Sequence, residues 1–298
     1  MIDLVLRAIR RVLKWLDIRL EHARHGAIHS THTNNGQDAA IESFLRSLSI
    51  SSGARLYLAE HLARLVRTLT LVPPNGQSAL ELGSYVYGSA VLQRVLGYRR
   101  VRGAYYSPAP GLDRKSLAIA GQPDFELDVD LFDAERHLFP YADGAFDLVL
   151  CGELIEHLVL DPMHLLFECH RVLAEGGALV LTTPNAASLH AVSSALHGQR
   201  SPQVFAKYPA PGNPDVPHVR EYTAGELGDA LIAAGFELEA LFTEHIPGFD
   251  NSRWAQNILS QEGFDTSLRG EQTYCVARRR AALPRDRHPR WLYADGPP

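Results

Sequence analysis

Residues Phe139–Asn185 read FPYADGAFDLVLCGELIEHLVLDPMHLLFECHRVLAEGGALVLTTPN. Phe146 to Cys151 is a short, nearly all-apolar run, the pattern of a strand covered on both faces rather than one facing water. Leu165, Leu166, Cys169, Val172 and Leu173 then recur at helical spacing. Gly176-Gly177 is expected to cap that helix, and Ala178 to Thr182 reads as the next strand. A continuously apolar strand, a helix and another such strand make a crossover unit, which belongs in a parallel sheet.

The same alternation extends outward from this run. On the amino side, Ser78 to Leu82, Val101 to Tyr106 and Phe125 to Leu131 read as strands, with a helix over Ser89 to Leu96. On the carboxyl side, a helix from Ala224 to Ala234 stops at Gly235, and strands follow at Phe236 to Thr243 and Gln272 to Ala277. The expected fold is therefore α/β, a doubly wound and mostly parallel sheet with helices on both faces. Before it lies an N-terminal helical segment over residues 1–72. Ile2, Val5, Leu6, Ile9, Val12, Leu13, Leu16 and Leu20 form one apolar stripe, and Leu56, Leu58, Leu62, Leu65, Val66 and Leu69 another. A polar loop is expected over His29 to Asp38, and Pro73-Pro74-Asn75-Gly76 stops the second helix. The main domain then covers residues 73–280, and 281–298, rich in Pro and Arg, reads as a surface tail.

Composition narrows the function classes. With 298 residues, 46% hydrophobic and 21% charged, the chain can bury a sizeable core. A net charge of -5 gives no global basic field, which argues against DNA as a partner. Cys151, Cys169 and Cys275 lack metal-type spacing and suit free thiols in a reducing compartment. Arg7, Arg10, Arg11 and Lys14 interrupt any signal-peptide core, so a cytoplasmic location is expected. The first stripe packs on the main domain or a second copy of the chain, or lays its basic face on an anionic membrane surface.

In a doubly wound sheet the ligand sits at the carboxyl ends of the strands. After the first strand of the sheet the chain runs Gly83-Ser84-Tyr85-Val86-Tyr87-Gly88. A glycine directly after a strand allows a tight turn, and the following helix start can bind a polar group. The GKS or GKT ending of a phosphate loop is missing.

The quoted run resembles the central part of class I S-adenosylmethionine-dependent methyltransferases. The resemblance rests on Asp143-Gly144, Phe146-Asp147, Glu153/Glu156/His157, Arg171-Val172-Leu173, Gly176-Gly177 and Thr183-Pro184-Asn185, in this order. It implies a Rossmann-like sheet whose last strand is antiparallel, and S-adenosylmethionine as cofactor. Glu81, Gly83, Ser84 and Tyr85 fall on the family's glycine-rich turn, although Tyr85 and Tyr87 stand where further glycines are usual. The second strand ends Ala104-Tyr105-Tyr106-Ser107 instead of in the acid that holds the ribose, and Tyr106 is the expected substitute. Asp133 and Ala134 match the pair that reads adenine, with Asp130 in reserve, and Cys151 ends the fourth strand beside the cofactor.

The resemblance further implies catalytic roles for His157 and Glu153, with His157 or His218 as general base. Glu153, Glu156 and His157 would share one helix face at i, i+3 and i+4. Together with His218 they resemble the divalent-metal sites of small-RNA 2′-O-methyltransferases and of ubiquinone-pathway O-methyltransferases. Such a cation would lower the pKa of an attacked hydroxyl. The expected reaction is O-methylation of a hydroxylated small molecule, sugar or polysaccharide. The rival readings are an RNA 2′-O-methyltransferase, a nicotinamide dehydrogenase and a non-catalytic cofactor-binding scaffold.

Overall fold

The computed structural model describes residues 35–198, 217–246, 253–283 and 285–293. The stripe expected over Ile2 to Leu20 lies outside the described residues, as does most of the stretch from Ser188 to Val219. The described chain runs α1 (Asn35–Arg46), β1 (Leu48–Ser49), α2 (Ser52–Thr70), β2 (Ser78–Leu82), α3 (Tyr87–Arg94) and β3 (Arg100–Tyr106). It continues through β4 (Gly111–Ile119), β5 (Phe125–Phe132), β6 (Phe146–Gly152), α4 (Pro162–Val172) and β7 (Leu173–Pro184). It closes with α5 (Leu189–His197), α6 (Ala224–Ala233), β8 (Phe236–Glu244), α7 (Arg253–Gln261) and β9 (Gln272–Arg279).

The strands form one sheet in the order β1-β4-β5-β3-β2-β6-β7-β9-β8. β2 pairs in parallel with both β3 and β6, and the parallel order continues outward to β5 and β7. β9 is inserted antiparallel between β7 and β8. The order reverses at β2, because β3 lies on one side of it and β6 on the other. That reversal opens a crevice at the carboxyl ends of β2 and β6, where a doubly wound sheet takes its ligand.

Alternation along the central strands builds two cores. In β6, Leu148 and Leu150 face α1, α2 and α3, whereas Val149 and Cys151 face α4 and α6. All four are at most 3% exposed, as the continuous apolar run requires. Each large aliphatic side chain so buried contributes roughly 1.5–3 kcal/mol. α2 begins where the Ser51 side chain accepts from the Ala54 backbone N–H, and α6 where Thr223 and Glu226 form a reciprocal capping box.

Several expectations are corrected. Gly176-Gly177 does not cap α4; Leu173 is already extended and opens β7. β7 pairs Phe146↔Leu173 and then Leu148↔Ala178, so the two glycines lie in a bulge, with Gly176 at φ +75°. α1 begins at Asn35, inside the expected polar loop, and buries Ile41, Phe44 and Leu45 at helical spacing. β4 pairs antiparallel with β5, and β1 adds a further antiparallel edge. Of the expected tail, Arg285 to Tyr293 is clipped to the domain: Arg287 and Tyr293 bind Asp161, and Asp286 N–H donates to the Ala233 carbonyl at 2.7 Å. None of the described helices is long and apolar enough to cross a membrane.

Candidate active site

The turn after β2 is braced from beneath. Gly83 takes φ +68°, where an L side chain would be strained, and the next residue, Ser84, donates its N–H to the Ala104 carbonyl at 3.0 Å. Glu81 points inward: its carboxylate accepts from Ser84 Oγ at 2.6 Å, Ser89 N–H at 2.9 Å and Ser89 Oγ at 2.5 Å. Burial raises its pKa, against these three hydrogen bonds, which lower it. A carbon added at Gly88 would overlap Glu81 Oε1, so the start of α3 can lie against the carboxylate only without a side chain. Glu81 and Ser84 therefore shape the turn with their side chains buried below it. Of the two tyrosines that stand where glycines are usual, Tyr85 is 58% exposed and Tyr87, the first residue of α3, packs on the core.

Of the two tyrosines ending β3, Tyr105 meets this turn, its ring centroid 6.0 Å from that of Tyr85. Tyr106, the residue expected to replace the usual acid, is 63% exposed, and no ring contact places it against the turn. After β5, Asp133 is buried; its Oδ1 accepts from the Glu135 N–H at 2.9 Å and its Oδ2 lies 3.3 Å from Arg136. Ala134 follows, half-buried. Glu135 accepts from the backbone N–H groups of Val159, Leu160 and Asp161, tying this loop to the one after β6. Asp130, the reserve residue, is held by Arg102 and by the Tyr141 hydroxyl at 2.7 Å.

β6 delivers the reactive-looking groups. The Cys151 thiol is fully buried in the core and pushed up by burial and by the nearby Glu156, so it can offer the rim only its backbone. Glu153, Glu156 and His157 do not share a helix face as spacing suggested. Glu153 sits in the left-handed region at φ +52°, and only Ile155–His157 form a single 3-10 turn. This diverts Glu153 sideways, where it accepts from Thr182 Oγ1 at 2.9 Å and Gln272 Nε2 at 2.8 Å and pairs with Arg64 at 2.6 Å. A non-glycine residue in that region costs on the order of 1–3 kcal/mol, and three partners hold it there.

Glu156, His157 and His218 do converge, with ligand-type atoms all within 4.8 Å of one another. The His157 and His218 ring centroids are 5.0 Å apart. His157 Nδ1 lies 3.3 Å from the Pro217 carbonyl oxygen and His218 Nδ1 lies 2.9 Å from Glu221 Oε1. A carbonyl or carboxylate only accepts, so in these bonds Nδ1 carries the proton and Nε2 the lone pair. Glu156 is fully buried. Thr183 Oγ1 donates to its Oε2 at 3.0 Å, whereas its Oε1 has no hydrogen-bond partner among the described residues. Burial pushes Glu156 up to about 7, against the hydrogen bonds it accepts and the charge of Arg64.

α2 roofs this edge of the sheet. Tyr57, His61, Arg64 and Thr68 recur every three or four residues on one stripe. The Tyr57 ring lies 5.7 Å from that of Tyr85, Arg64 reaches Glu153, and Arg67 pairs with Glu244 at 2.7 Å and covers the Phe242 ring. Tyr57, Arg64, Tyr105, Thr183 and Glu221 are thus site-building residues that sequence reading passed over. The polar stripe interrupting an otherwise apolar helix was the available signal for the first two.

A family model described as "Methyltransferase domain" matches residues 53–241, more than half of the chain. The chain belongs to that methyltransferase family. Its fold is that of the class I S-adenosylmethionine-dependent methyltransferases. A curated relative from Mycolicibacterium smegmatis, named as a probable S-adenosylmethionine-dependent methyltransferase, is 32% identical over 133 residues. That match spans 43% of each protein, well under two thirds of the relative's length. A Haloferax volcanii methyltransferase solved in complex with the Trm112 methyltransferase activator aligns with a TM-score of 0.50 at 18% identity, covering 79% of this chain and 94% of that one. A methyltransferase of Archaeoglobus fulgidus aligns at 0.48 and 17% identity over 75% of this chain and 99% of its own. At 18% identity the likeness to the Haloferax volcanii protein is one of fold. Dependence on S-adenosylmethionine follows from the family.

Proposed function

We propose that the chain transfers the methyl group of S-adenosylmethionine to a hydroxyl oxygen of a hydroxylated small molecule or glycan, at the cluster of Glu156, His157 and His218. The observation that carries this reading is the convergence of those three side chains beside the end of β6, with a buried carboxylate oxygen of Glu156 that has no hydrogen-bond donor among the described residues. The residues present suit the cofactor. Gly83 opens a left-handed turn above the braced Glu81, and Asp133-Ala134 supply a polar edge after β5. The Gly83 turn would hold the amino-acid end, and Asp133-Ala134 the adenine.

In transfer, a lone pair on the acceptor oxygen forms the new O–C bond as the C–S bond breaks in line, releasing S-adenosylhomocysteine. The acceptor proton passes to His157 Nε2, whose lone pair the Pro217 carbonyl fixes by holding the proton on Nδ1. Glu221 orients His218 in the same way. When a divalent cation is bound instead, the two Nε2 lone pairs and the Glu156 carboxylate would hold it, so that His157 would be a ligand and not the base; this donor set suits manganese, iron or zinc, with Glu221 as the carboxylate behind a ligating histidine. Such an ion supplies Lewis-acid lowering of the acceptor's pKa.

The test is a screen for radiolabelled methyl transfer onto hydroxylated acceptors, run with and without chelator. Transfer to oxygen that falls in the His157→Ala variant supports the reading. Transfer only to nitrogen or carbon acceptors overturns it. Loss of activity with chelator and recovery with added manganese assigns the cation, and full activity in chelator removes it.

A further inference from the structure

We propose that Tyr57, Tyr85 and Tyr105 form an aromatic wall that binds the nucleoside end of the sulfonium cofactor, so that helix α2, outside the sheet, sets cofactor affinity. The proposal rests on the reading that the cofactor occupies the carboxyl edge of β2 and β3.

The three rings come from separate elements and meet in a row. His61 stands 4.4 Å from Tyr57, Tyr57 5.7 Å from Tyr85, and Tyr85 6.0 Å from Tyr105, centroid to centroid. The two tyrosine–tyrosine spacings lie within the range of attractive aromatic pairs. The tyrosines are 39%, 58% and 40% exposed, so each leaves part of a ring for a ligand. Scattered exposed aromatics are ordinary, but a contiguous row beside the turn at the carboxyl ends of β2 and β3 is not.

The chemistry of the β3 end supports a nucleoside. Tyr105-Tyr106-Ser107 offers no carboxylate, and Asp130, the acid on the neighbouring strand, is locked by Arg102 and Tyr141. A flat ring can stack on a purine, and a phenol hydroxyl can hydrogen-bond a ribose hydroxyl while remaining neutral. The wall therefore replaces a charged contact with stacking and neutral hydrogen bonds, which makes the rings contributed by α2 and the turn more important.

The proposal is tested by calorimetric titration of the full chain with S-adenosylhomocysteine and with 5′-methylthioadenosine, which lacks the amino-acid end. Tyr57→Ala should weaken both ligands by about tenfold, and Tyr57→Phe should stay within about twofold of the parent, because the ring is kept. Leu56→Ala, altering a neighbouring side chain that is 74% exposed, is the control and should bind as the parent does. Tyr85→Ala is the second arm and should weaken both ligands in the same way, deciding the matter should Tyr57→Ala lose its fold. If the parent chain binds both ligands and neither alanine variant weakens them, the wall is overturned while the cofactor site stands. Weakening of S-adenosylhomocysteine alone also overturns it, since the wall would then contact the amino-acid end. No binding to the parent chain overturns both.

Discussion

Arg64 and Glu153 meet at 2.6 Å, one on the helix that precedes the sheet and the other just past its central strand. Their side chains are 18% and 23% exposed, so the pair is screened less than a surface ion pair. It joins the α2 roof to a left-handed residue two positions before the 3-10 turn that carries Glu156 and His157. Removing Arg64 leaves Glu153 a partly buried charge held, among the described residues, only by Thr182 and Gln272, on a strained backbone. A double-mutant cycle of Arg64→Ala and Glu153→Gln, read by urea unfolding, should give a coupling of about 1–3 kcal/mol. Strictly additive effects would show that the two residues do not hold each other.

The fit of Glu81 beneath α3 makes a contrasting pair of glycine substitutions informative. Gly88→Ala places a carbon on Glu81 Oε1 and forces the carboxylate away from Ser84 and Ser89. It should destabilise the chain by about 2–4 kcal/mol and weaken S-adenosylhomocysteine binding. Gly53→Ala, early in α2 with nothing within 4 Å, should be neutral or stabilise by up to about 1 kcal/mol. Thermal unfolding of both variants would check this, and equal effects would contradict the packing described.

Asp161 gives the pH dependence. Burial alone would raise its pKa, but Arg287 and the Tyr293 hydroxyl outweigh burial and hold the group down at about 2. A carboxylate lowered in the folded state stabilises the protein above its unfolded pKa near 3.8, and that contribution is lost as pH falls through about 2. Asp161→Asn should therefore destabilise by on the order of 2 kcal/mol at pH 7, with the gap to the parent closing between about pH 4 and pH 2. Faster amide exchange over residues 285–293 in the variant would show release of the clipped segment. A gap that stayed constant down to pH 2 would sever Asp161 from this role.

Legibility in the sequence followed burial. β2 was readable to the residue and β6 nearly so, because strands covered on both faces carry unbroken apolar runs. β4 was not, since only Leu117 and Ile119 of its nine residues are buried and only the two-residue β1 lies outside it in the sheet. Gly176-Gly177 looked like a helix cap because a bulge uses the same residue type at the same distance from the helix. Within the site, Glu156, His157 and His218 lie together, whereas Glu153 is drawn aside to Thr182, Gln272 and Arg64. Spacing assumes a helix, and nothing in the letters Gly152-Glu153-Leu154 announces a left-handed residue. Tyr105 was passed over for Tyr106 because which of two adjacent tyrosines faces the turn depends on the strand's pleat. The Arg64 and Tyr57 contacts needed the docking of α2, which is a tertiary fact.

The account turns on three side chains acting as one cluster without Glu153, and manganese uptake followed by electron paramagnetic resonance addresses it most directly. The parent chain should take up one ion, Glu153→Gln should still do so, and His157→Ala and His218→Ala should each lose it. Uptake that survives both histidine variants, or that vanishes only with Glu153→Gln, would contradict the cluster.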